Sequence, residues 1–503
     1  MFNIVLLFSV LFLNNNFDHI YLLYTNDIEG GLSPSTAWWM NPYFPPPIGN
    51  APAAAYFIKS KRREADSLGY GFFVFDSGDM FMGSPIGEFS KGQAVAEYFN
   101  YCGYDVVAPG NHDYDMGVEV FQEFVNSVEA EFLGSNIVYE TTQQNVDYLE
   151  PYTVIEHNGI RIGVFSILTH FMEGMTTPEK FMDHDVLDES TTARKYVDIL
   201  QTEGVDLIFA LTGIGLKHDK HIASSVPGID IIFGSHSSSA LQEPYEDSIN
   251  HTIICQSYSH LTSIGFLDLF IDRTTKKIAG YEGRLIDLLS EEIESDTQML
   301  YLVSKWDEIT QRGFDEVIGY SNEELVRAGF EETGIGNMIT DAMREYFAAD
   351  IAIHNSGGIR ANIPKGEITY RDCYNVDALS NTVVVMNMKG KVLLEALEVG
   401  YNGHHAIFQV SGIKLRYDSK KPIGQRIVDV VTTNGAKIDH NKVYRVVTNS
   451  YLAAGGGEYV IFKEATDIED TFLYMRSVIA EYVKKHSPIQ SLIEGRIIDE
   501  AQQ

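Results

Sequence analysis

The chain has 503 residues, more than one hydrophobic core ordinarily holds, so its length indicates two domains of roughly 200–300 residues each. Hydrophobic residues make up 45% and charged residues 21% of the chain, which excludes a disordered or fibrous protein. A net charge of −33 repels polyanions, so general binding to nucleic acid or to anionic membranes is disfavoured. A small anionic substrate requires metal ions, arginines or backbone N–H groups to reverse the field locally.

Residues 4–13 form an apolar run of the length found in signal peptides, and the run is too short to span a bilayer. No basic residue precedes it and no small-residue cleavage motif follows it. We expect residues 1–16 to be a signal peptide, and the protein to be exported to the periplasm or the extracellular space. No other segment is apolar enough to span a membrane. Cys102, Cys255 and Cys373 lie far apart, which predicts buried thiols rather than disulfides or a cysteine zinc site.

Six apolar, β-rich runs between residues 19 and 236 each stop at a loop rich in Gly, Asp, Asn or His. The runs are HIYLLYTND, GFFVFDSGD, YDVVAPGNHD, IRIGVFSILTH, VDLIFALTG and IDIIFGSH. Several are apolar at successive positions, which is typical of strands covered on both faces, and helices are predicted over 92–101 and 119–126. Loops at the carboxyl ends of such strands converge, so the pattern predicts an α/β domain with a polar site at these ends.

Residues 291–312 show helical spacing, with Met299, Leu302 and Trp306 on one side, and predict a connecting helix. After residue 319 the pattern changes to an α+β domain, with helices over 336–346 and 392–399 and strands over 351–354 and 382–388. We therefore expect a first domain over 17–290, a connecting segment over 291–317 and a second domain over 318–503.

The motif GNHDYD, residues 110–115, is the strongest single signal for a site. Its Asn111 can offer an amide oxygen to a metal, while His112 points at a reacting group. TND at Asp27, DSGD at Asp79 and GSH at His236 each follow an apolar strand in the same way. Four polar motifs placed alike at strand ends argue against chance.

These motifs, in this order, resemble the signature loops of the calcineurin-like metallophosphoesterase fold in the 5'-nucleotidase family. The fold implied is a four-layer α/β/β/α sandwich with a second, α+β domain. In the second half, NSGGIRANIPKGEITY, TGIGNMITDAMRE, FQVSGIKLRYD and TNSYLAAGGGEY are similar to the C-terminal domain of that family, which binds the nucleoside part of the substrate. The likeness covers nearly the whole chain.

The resemblance implies two divalent cations that hold phosphate oxygens and activate water for in-line attack. Asp79 matches the bridging ligand and Asp27 a ligand of the first cation. Asn111 and His236 match ligands of the second cation. His112 matches the residue that stabilises the departing or equatorial oxygen, and Asp115 matches the partner that orients its imidazole.

Three ligand positions depart from the family pattern. Glu29 stands where the family has a histidine, Gly213 offers no side chain at a second histidine position, and Ser238 replaces a histidine or glutamine. The remaining set is rich in oxygen, which favours manganese, magnesium or calcium over zinc. His218 and His221, close behind Gly213, and His170 at another strand end are alternative donors.

In the second half, the resemblance implies that Asn355 and Arg360 grip the substrate and that Tyr451 stacks on a base. Ile407 occupies the opposing aromatic position, with Phe408 beside it as a candidate. The acidic residue expected to hold ribose is replaced by Gly457, with Glu458 one residue later.

Two functions follow from this sequence. The first is an exported metal-dependent phosphohydrolase that acts on nucleotides or related phosphate esters through an altered metal site. The alternative is a catalytically weak or inactive relative that binds a nucleotide or another small ligand, because the changes at Glu29, Gly213, Ser238 and Gly457 each weaken metal or ribose binding.

Overall fold

The computed structural model describes residues 16–37, 40–41, 44–170, 181–377, 381–456, 459–490 and 492–502. The chain divides into two compact units, Met1–Thr310 and Gln311–Gln503. Apart from residue 16, the expected signal peptide lies outside the described residues. Across the described ranges, no helix combines the length and apolar character needed to cross a membrane.

The first unit is built from strands β1 to β16 and helices α1 to α7. Its strands are β1 (Phe17–Thr25), β2 (Ser35–Thr36), β3 (Pro47–Ile48), β4 (Gly71–Asp76), β5 (Val106–Val107), β6 (Glu131–Phe132), β7 (Ile137–Tyr139), β8 (Tyr152–His157), β9 (Ile160–Leu168), β10 (His184–Val186), β11 (Leu207–Gly213), β12 (Ile231–Gly234), β13 (Tyr245–Glu246), β14 (Ile253–Cys255), β15 (Ser263–Asp272) and β16 (Ile278–Asp287). Its helices are α1 (Asn50–Leu68), α2 (Pro85–Ser90), α3 (Gln93–Cys102), α4 (Val118–Ser127), α5 (Glu189–Thr202), α6 (Leu216–Ser225) and α7 (Thr297–Phe314), the last of which continues into the second unit.

Most of these strands form two six-stranded sheets. One has the order β16-β15-β1-β4-β5-β6 and the other β13-β14-β12-β11-β9-β8. In the first sheet β1, β4, β5 and β6 run parallel, and in the second β9, β11, β12 and β14 run parallel. Parallel strands bring their carboxyl ends to one edge, which is where the predicted polar motifs lie.

The two sheets pack face to face with helices on both outer sides. Alternate residues of β1, such as Leu22 and Tyr24, enter the core between the sheets, whereas Leu23 faces the cluster formed with α1, α3 and α4. Phe75 of one sheet meets Phe209 and Phe233 of the other, at ring-centroid distances of 6.3 and 5.2 Å. Helices α5 and α6 cover the opposite side of the second sheet. The predicted four-layer α/β/β/α sandwich is therefore confirmed.

Helix α7 begins at Thr297, six residues later than the periodic pattern starts. Asp296 sets this start, because its Oδ1 accepts the N–H groups of Gln298 and Met299 at 3.0 and 2.9 Å and satisfies donors that the first helical turn leaves open. Met299 and Val303 are buried against the first unit.

The second unit is an α+β domain. Its strands are β17 (Val317–Ser321), β18 (Ile351–Asn355), β19 (Gly366–Thr369), β20 (Thr382–Lys389), β21 (Phe408–Ser411), β22 (Ile413–Tyr417), β23 (Ile427–Thr432), β24 (Val443–Asn449), β25 (Thr466–Tyr474) and β26 (Ile497–Asp499). Its further helices are α8 (Gly334–Tyr346), α9 (Tyr370–Val376), α10 (Gly390–Gly400), α11 (Ser450–Ala453) and α12 (Met475–His486). The main sheet has the order β21-β18-β24-β20-β25.

Gly265 in β15 gives a test of the packing between β15 and β1. A Cβ atom at this position would lie 1.9 Å from the Tyr24 ring, so Gly265→Ala must displace a fully buried side chain. We expect a loss of about 1–3 kcal/mol in the free energy of unfolding, measured by urea denaturation. Gly280→Ala in the adjacent strand β16 is the control, because the nearest atom to its Cβ would be Phe270 Cδ2 at 3.4 Å. Equal losses in the two variants would contradict this packing.

Candidate active site

The predicted site residues of the first unit lie at the carboxyl ends of strands from both sheets. Several adopt left-handed backbone conformations that non-glycine residues rarely take, with φ of +48° at Asp27, +49° at Glu29, +57° at Asp79, +73° at His236 and +44° at Ser238. Such strained conformations persist only where surrounding contacts impose them, and they cluster at functional sites. These backbone conformations therefore direct the side chains into positions that they would not reach from an ordinary strand–helix loop.

Short hydrogen bonds tie these loops to one another. The backbone N–H of Glu29 donates to the Asp79 carbonyl at 2.9 Å. The N–H groups of His236 and His112 donate to carboxylate oxygens of Asp27 and Asp79 at 2.9 and 3.0 Å. His236 Nδ1 lies 2.8 Å from Asn111 Oδ1. The structure therefore brings the predicted residues Asp27, Glu29, Asp79, Asn111, His112 and His236 into one cluster.

Asp113 organises the centre of this cluster, and the sequence interpretation assigned it no role. Its buried carboxylate accepts N–H groups from Asp79 at 3.1 Å, Met80 at 2.8 Å and Gly110 at 2.8 Å. The carboxylate thereby joins the loop after β4 to the loop after β5. Burial, and then repulsion from Asp79, raises the pKa of Asp113 well above its usual range. Its place inside the GNHDYD motif was the available signal.

His112 and Asp115 form a buried pair, with 2.8 Å between His112 Nδ1 and Asp115 Oδ2. Among the described residues no group hydrogen-bonds to His112 Nε2, although this atom is buried. Burial alone would lower the pKa of His112, but attraction and hydrogen bonding from Asp115, with attraction from Asp79 and Glu29, raise it to about 10. Asp115 therefore fixes the ring so that Nε2 is the nitrogen available to a ligand.

The cluster concentrates negative charge out of water. Burial, followed by repulsion from Asp79 and Glu29, raises the pKa of Asp27 well above its usual range. Burial also raises the pKa of Asp79 to about 6, against the attraction of His112. Buried carboxylates are stable as anions only beside a compensating positive charge. A cation at this position would remove the repulsion.

The donor atoms of the cluster suit a hard divalent cation. Two ligand atoms that bind the same ion at right angles, each at about 2.1 Å, lie about 3 Å from one another. The distance between His236 Nδ1 and Asn111 Oδ1 is close to this value. Burial, then repulsion from His112 and His218, lowers the pKa of His236 to about 3, which keeps it in the neutral form that binds metal. In the part of the chain that the structure describes, no three His, Cys, Asp or Glu side chains already form a metal-binding group.

The structure shows the surroundings of Gly213 and of the three histidines considered as alternative metal donors. Gly213 ends β11, where a Cβ would make an ordinary contact of 3.4 Å with the Pro109 carbonyl oxygen. His170 and His218 both lie against Glu189, with Nδ1–carboxylate distances of 3.0 and 3.5 Å, and His221 is exposed. His218 is also close enough to His236 to lower the pKa of that residue by repulsion.

His260 is a second residue of the cluster that sequence reasoning missed. Its Nε2 lies 2.9 Å from Glu29 Oε2, and its backbone N–H donates to the Asp27 carbonyl at 2.8 Å. The residue follows β14 in the segment SYSHLTS, which carries no metal-binding spacing. Only the tertiary structure brings this segment to the loop after β1.

Asn355, Arg360 and Tyr451, the predicted substrate residues of the second unit, differ from one another in their neighbours and exposure. Asn355 Oδ1 accepts a hydrogen bond from Asn449 at 2.8 Å. Arg360 is exposed, its guanidinium donates to the Gly357 carbonyl at 3.1 Å, and no carboxylate pairs with it in the described ranges. Tyr451 is 45% exposed, and its ring rests on Gly456, where a Cβ would lie 2.4 Å from Cε2.

Phe408 is fully buried and cannot stack on a base in this structure. Its ring packs on Tyr459 and Phe462, at centroid distances of 5.2 and 6.0 Å, and against Gly400 of α10. The candidate role of Phe408 is therefore corrected to that of a core residue. Gly457 and Glu458 lie outside the described residues.

Comparisons with known proteins agree with this architecture. A family model described as 5'-nucleotidase, C-terminal domain, matches residues 317–464. A 5'-nucleotidase of Diplobatis ommata is 30% identical over 472 residues, covering 84% of this chain and 81% of the relative. A snake venom 5'-nucleotidase of Naja atra is 26% identical, covering 87% and 91% of the two chains. The structure of NAD nucleotidase from Haemophilus influenzae superposes with a TM-score of 0.83 at 19% identity, over 96% of this chain and 99% of the other.

The fold and the strand-end cluster define the class as two-domain phosphoesterases with a calcineurin-like first domain. The similarity to the Diplobatis ommata 5'-nucleotidase over 84% of this chain and 81% of the relative then shows the family. The chain belongs to the 5'-nucleotidase family and is by class a phosphoric ester hydrolase.

The His112–Asp115 pair predicts a pH dependence of stability in the metal-free protein. The folded pKa of about 10 exceeds the unfolded value of about 6.5. The stabilisation of the folded state by this pair is therefore fully present below about pH 6.5 and is lost as the pH rises through about 10. We expect Asp115→Asn to lower the free energy of unfolding by on the order of a few kcal/mol at pH 6, and by progressively less toward pH 10.

Denaturant unfolding at several pH values in the presence of a chelator measures this effect. Asp198→Asn, a change at an exposed aspartate of the same unit, is the control and should show no such trend. A loss in Asp115→Asn that is independent of pH would contradict an ionic pair.

Proposed function

We propose that the chain is an exported phosphohydrolase that uses divalent metal ions to remove phosphate from nucleotides or related phosphate esters. The observation that supports this function best is the convergence of Asp27, Asp79, Asn111, His112 and His236 at the strand ends of both sheets. The cluster holds mutually repelling buried carboxylates beside a neutral imidazole and an amide oxygen, which is a donor set for cations and not for an apolar ligand.

In this proposal Asp27, Glu29 and Asp79 hold one cation, and Asp79, Asn111 and His236 hold the other. Bound cations supply the Lewis acid and the activated water that phosphate ester hydrolysis requires. With one histidine among these ligands, the set favours manganese, magnesium or calcium over zinc. Gly213 and Ser238 leave ligand positions to water, so we expect weaker cation binding than in relatives that have side-chain ligands there.

Two carboxylates of the protein, those of Asp113 and Asp115, would hold the reacting groups in position. Asp113 fixes the Asp79 loop through three backbone N–H groups. Asp115 holds Nδ1 of His112, so Nε2 can donate to a phosphate oxygen or to the departing oxygen. The loss of either anchor would misplace a group that must be held within fractions of an ångström.

The nucleoside part is assigned to the second unit. Arg360 offers an exposed guanidinium without a carboxylate partner in the described residues, which suits phosphate or ribose oxygens. Tyr451 offers an exposed ring whose orientation is fixed by Gly456, and Asn355 lies at the end of β18 beside the turn that carries Arg360. Similarity of residues 317–464 to the 5'-nucleotidase C-terminal domain supports this assignment.

Export rests on separate observations. The apolar run at residues 4–13 has the length of a signal-peptide core, and one relative is a venom 5'-nucleotidase. The protein would act on substrates outside the cytoplasm.

Removal of the bridging carboxylate tests the proposed chemistry. Hydrolysis of AMP should depend on added Mn²⁺, Mg²⁺ or Ca²⁺, and Asp79→Ala should lower kcat/KM by more than about 100-fold, because even an outer partner of a metal ligand contributes 10- to 100-fold. Phosphate release is the measurement. Asp198→Ala, on the exposed face of α5, is the control.

Turnover that survives Asp79→Ala would contradict a metal centre at this cluster. A wild-type protein that hydrolyses neither AMP nor any other phosphate ester, yet binds AMP, would favour the catalytically inactive alternative. The changes at Glu29, Gly213, Ser238 and Gly457 motivate that alternative.

Tyr451 tests the assignment of the nucleoside. Tyr451→Ala should raise KM for AMP about 5- to 150-fold, the equivalent of the 1–3 kcal/mol of stacking on one base. Hydrolysis of p-nitrophenyl phosphate, which has no base, should stay unchanged. Steady-state kinetics on both substrates measure the difference, with Tyr301→Ala, an exposed tyrosine of α7, as control. Equal effects on both substrates would show that Tyr451 does not read the base.

A further inference from the structure

Glu29 places a third carboxylate beside Asp27 and Asp79 in the cluster. The side chain is 9% exposed, and it repels both neighbouring carboxylates. A glutamate has more side-chain torsions than a histidine, so a carboxylate at this position reaches a metal only if a second group selects one rotamer. The structure contains such a group in His260.

The loop that carries His260 is fastened to the loop of Asp27 along its length. Asn26 donates to the carbonyls of Ser257 and Tyr258 at 2.8 and 3.3 Å and accepts the Ser257 N–H at 2.6 Å. His260 N–H donates to the Asp27 carbonyl at 2.8 Å. These bonds hold the backbone of His260 at a fixed place beside Asp27.

The backbone of His260 is also strained and enclosed. Its φ is +55°, and its carbonyl accepts a hydrogen bond from the buried Asn50 side chain at 2.7 Å. Gly31 packs so closely on it that a Cβ there would lie 2.6 Å from His260 Cα. These contacts hold His260 in a left-handed conformation that non-glycine residues rarely take.

The imidazole itself joins this loop to Glu29. Nε2 lies 2.9 Å from Glu29 Oε2, and Nδ1 lies 3.1 Å from Ser259 Oγ. The ring is held at both nitrogens, and 37% of the side chain is exposed, so it stands on the open side of the buried carboxylates. Metal-binding side chains are commonly oriented by such outer hydrogen bonds.

We propose that His260 is a positioning residue of the active centre, which holds the Glu29 carboxylate toward Asp27 and Asp79 and so compensates, from a separate loop, for the imidazole missing at position 29. The inference rests on the proposed function, because it treats Glu29 as a cation ligand. Glu29 and His260 then act as one unit. Without His260 the Glu29 carboxylate is not held in place, and without Glu29 the His260 imidazole has no ligand to hold.

Mn²⁺ binding to chelator-stripped protein tests this role without requiring turnover. His260→Asn keeps a residue that tolerates the left-handed backbone but is too short to reach Glu29. We expect the Kd for Mn²⁺, measured by electron paramagnetic resonance of the free ion, to rise roughly 10- to 100-fold. His260→Gln, which has an N–H donor of longer reach, should recover most of the loss.

His251 provides a closely matched control. It also has a left-handed backbone, with φ of +58°, and its Nδ1 lies 2.9 Å from Glu246 Oε1, but this pair is exposed and belongs to the loop between β13 and β14. His251→Asn should leave the Kd for Mn²⁺ unchanged. Circular dichroism and thermal unfolding of all variants show whether each is folded before its binding is compared.

A double-mutant cycle decides between positioning and direct binding. In a Glu29→Ala background, His260→Asn should weaken Mn²⁺ binding no further, because its target is gone. An equal loss in that background would mean that His260 acts on the cation itself, which overturns the positioning role. Wild-type binding that His260→Asn leaves unchanged overturns this inference alone, whereas a wild-type protein that binds no Mn²⁺ overturns the proposed function together with it.

Discussion

Mutual repulsion between carboxylates buried at the strand ends is the constraint on which this active centre depends. Asp27 and Asp79 lie out of water, where burial raises the pKa of both; Asp79 and Glu29 repel the ionised form of Asp27, and Glu29 and Asp115 repel that of Asp79. The protein holds them there with backbone N–H groups from His112 and His236 and with Asp113 beneath the Asp79 loop. Such a cluster is stable as an anion only with compensating positive charge, which supports the proposed cation site.

The repulsion between these carboxylates bears on the ligand positions that depart from the family pattern. A carboxylate at Glu29 adds charge that a histidine would not, and the structure places His260 against it. Near Gly213, His170 and His218 lie against Glu189, and His218 is also close enough to His236 to repel its protonated form. In the proposed centre, His260 supports the Glu29 side from another loop, whereas Gly213 contributes no side-chain ligand. We expect the two cation positions to differ in affinity for this reason.

Much of the first unit was predictable because its signals are local. Apolar runs that end in polar loops predicted β4, β9, β11 and β12, and the order of the motifs predicted the sandwich. The start of α7 was missed because Asp296, a capping residue, outweighs the periodicity of the residues before Thr297. Phe408 was misassigned because its burial depends on Gly400 and Tyr459, which are distant in sequence. His260 has no motif, and its contact with Glu29 spans more than two hundred residues.

Metal stoichiometry tests the central claim most directly. Protein purified without chelator, then reloaded with manganese and freed of excess ion, is analysed for bound metal per chain. The account predicts two manganese ions per wild-type chain and their loss in Asp79→Ala. A wild-type protein without stoichiometric metal, under conditions where it is folded, would mean that the buried carboxylates are held by the protein alone and that the cluster is not a working centre.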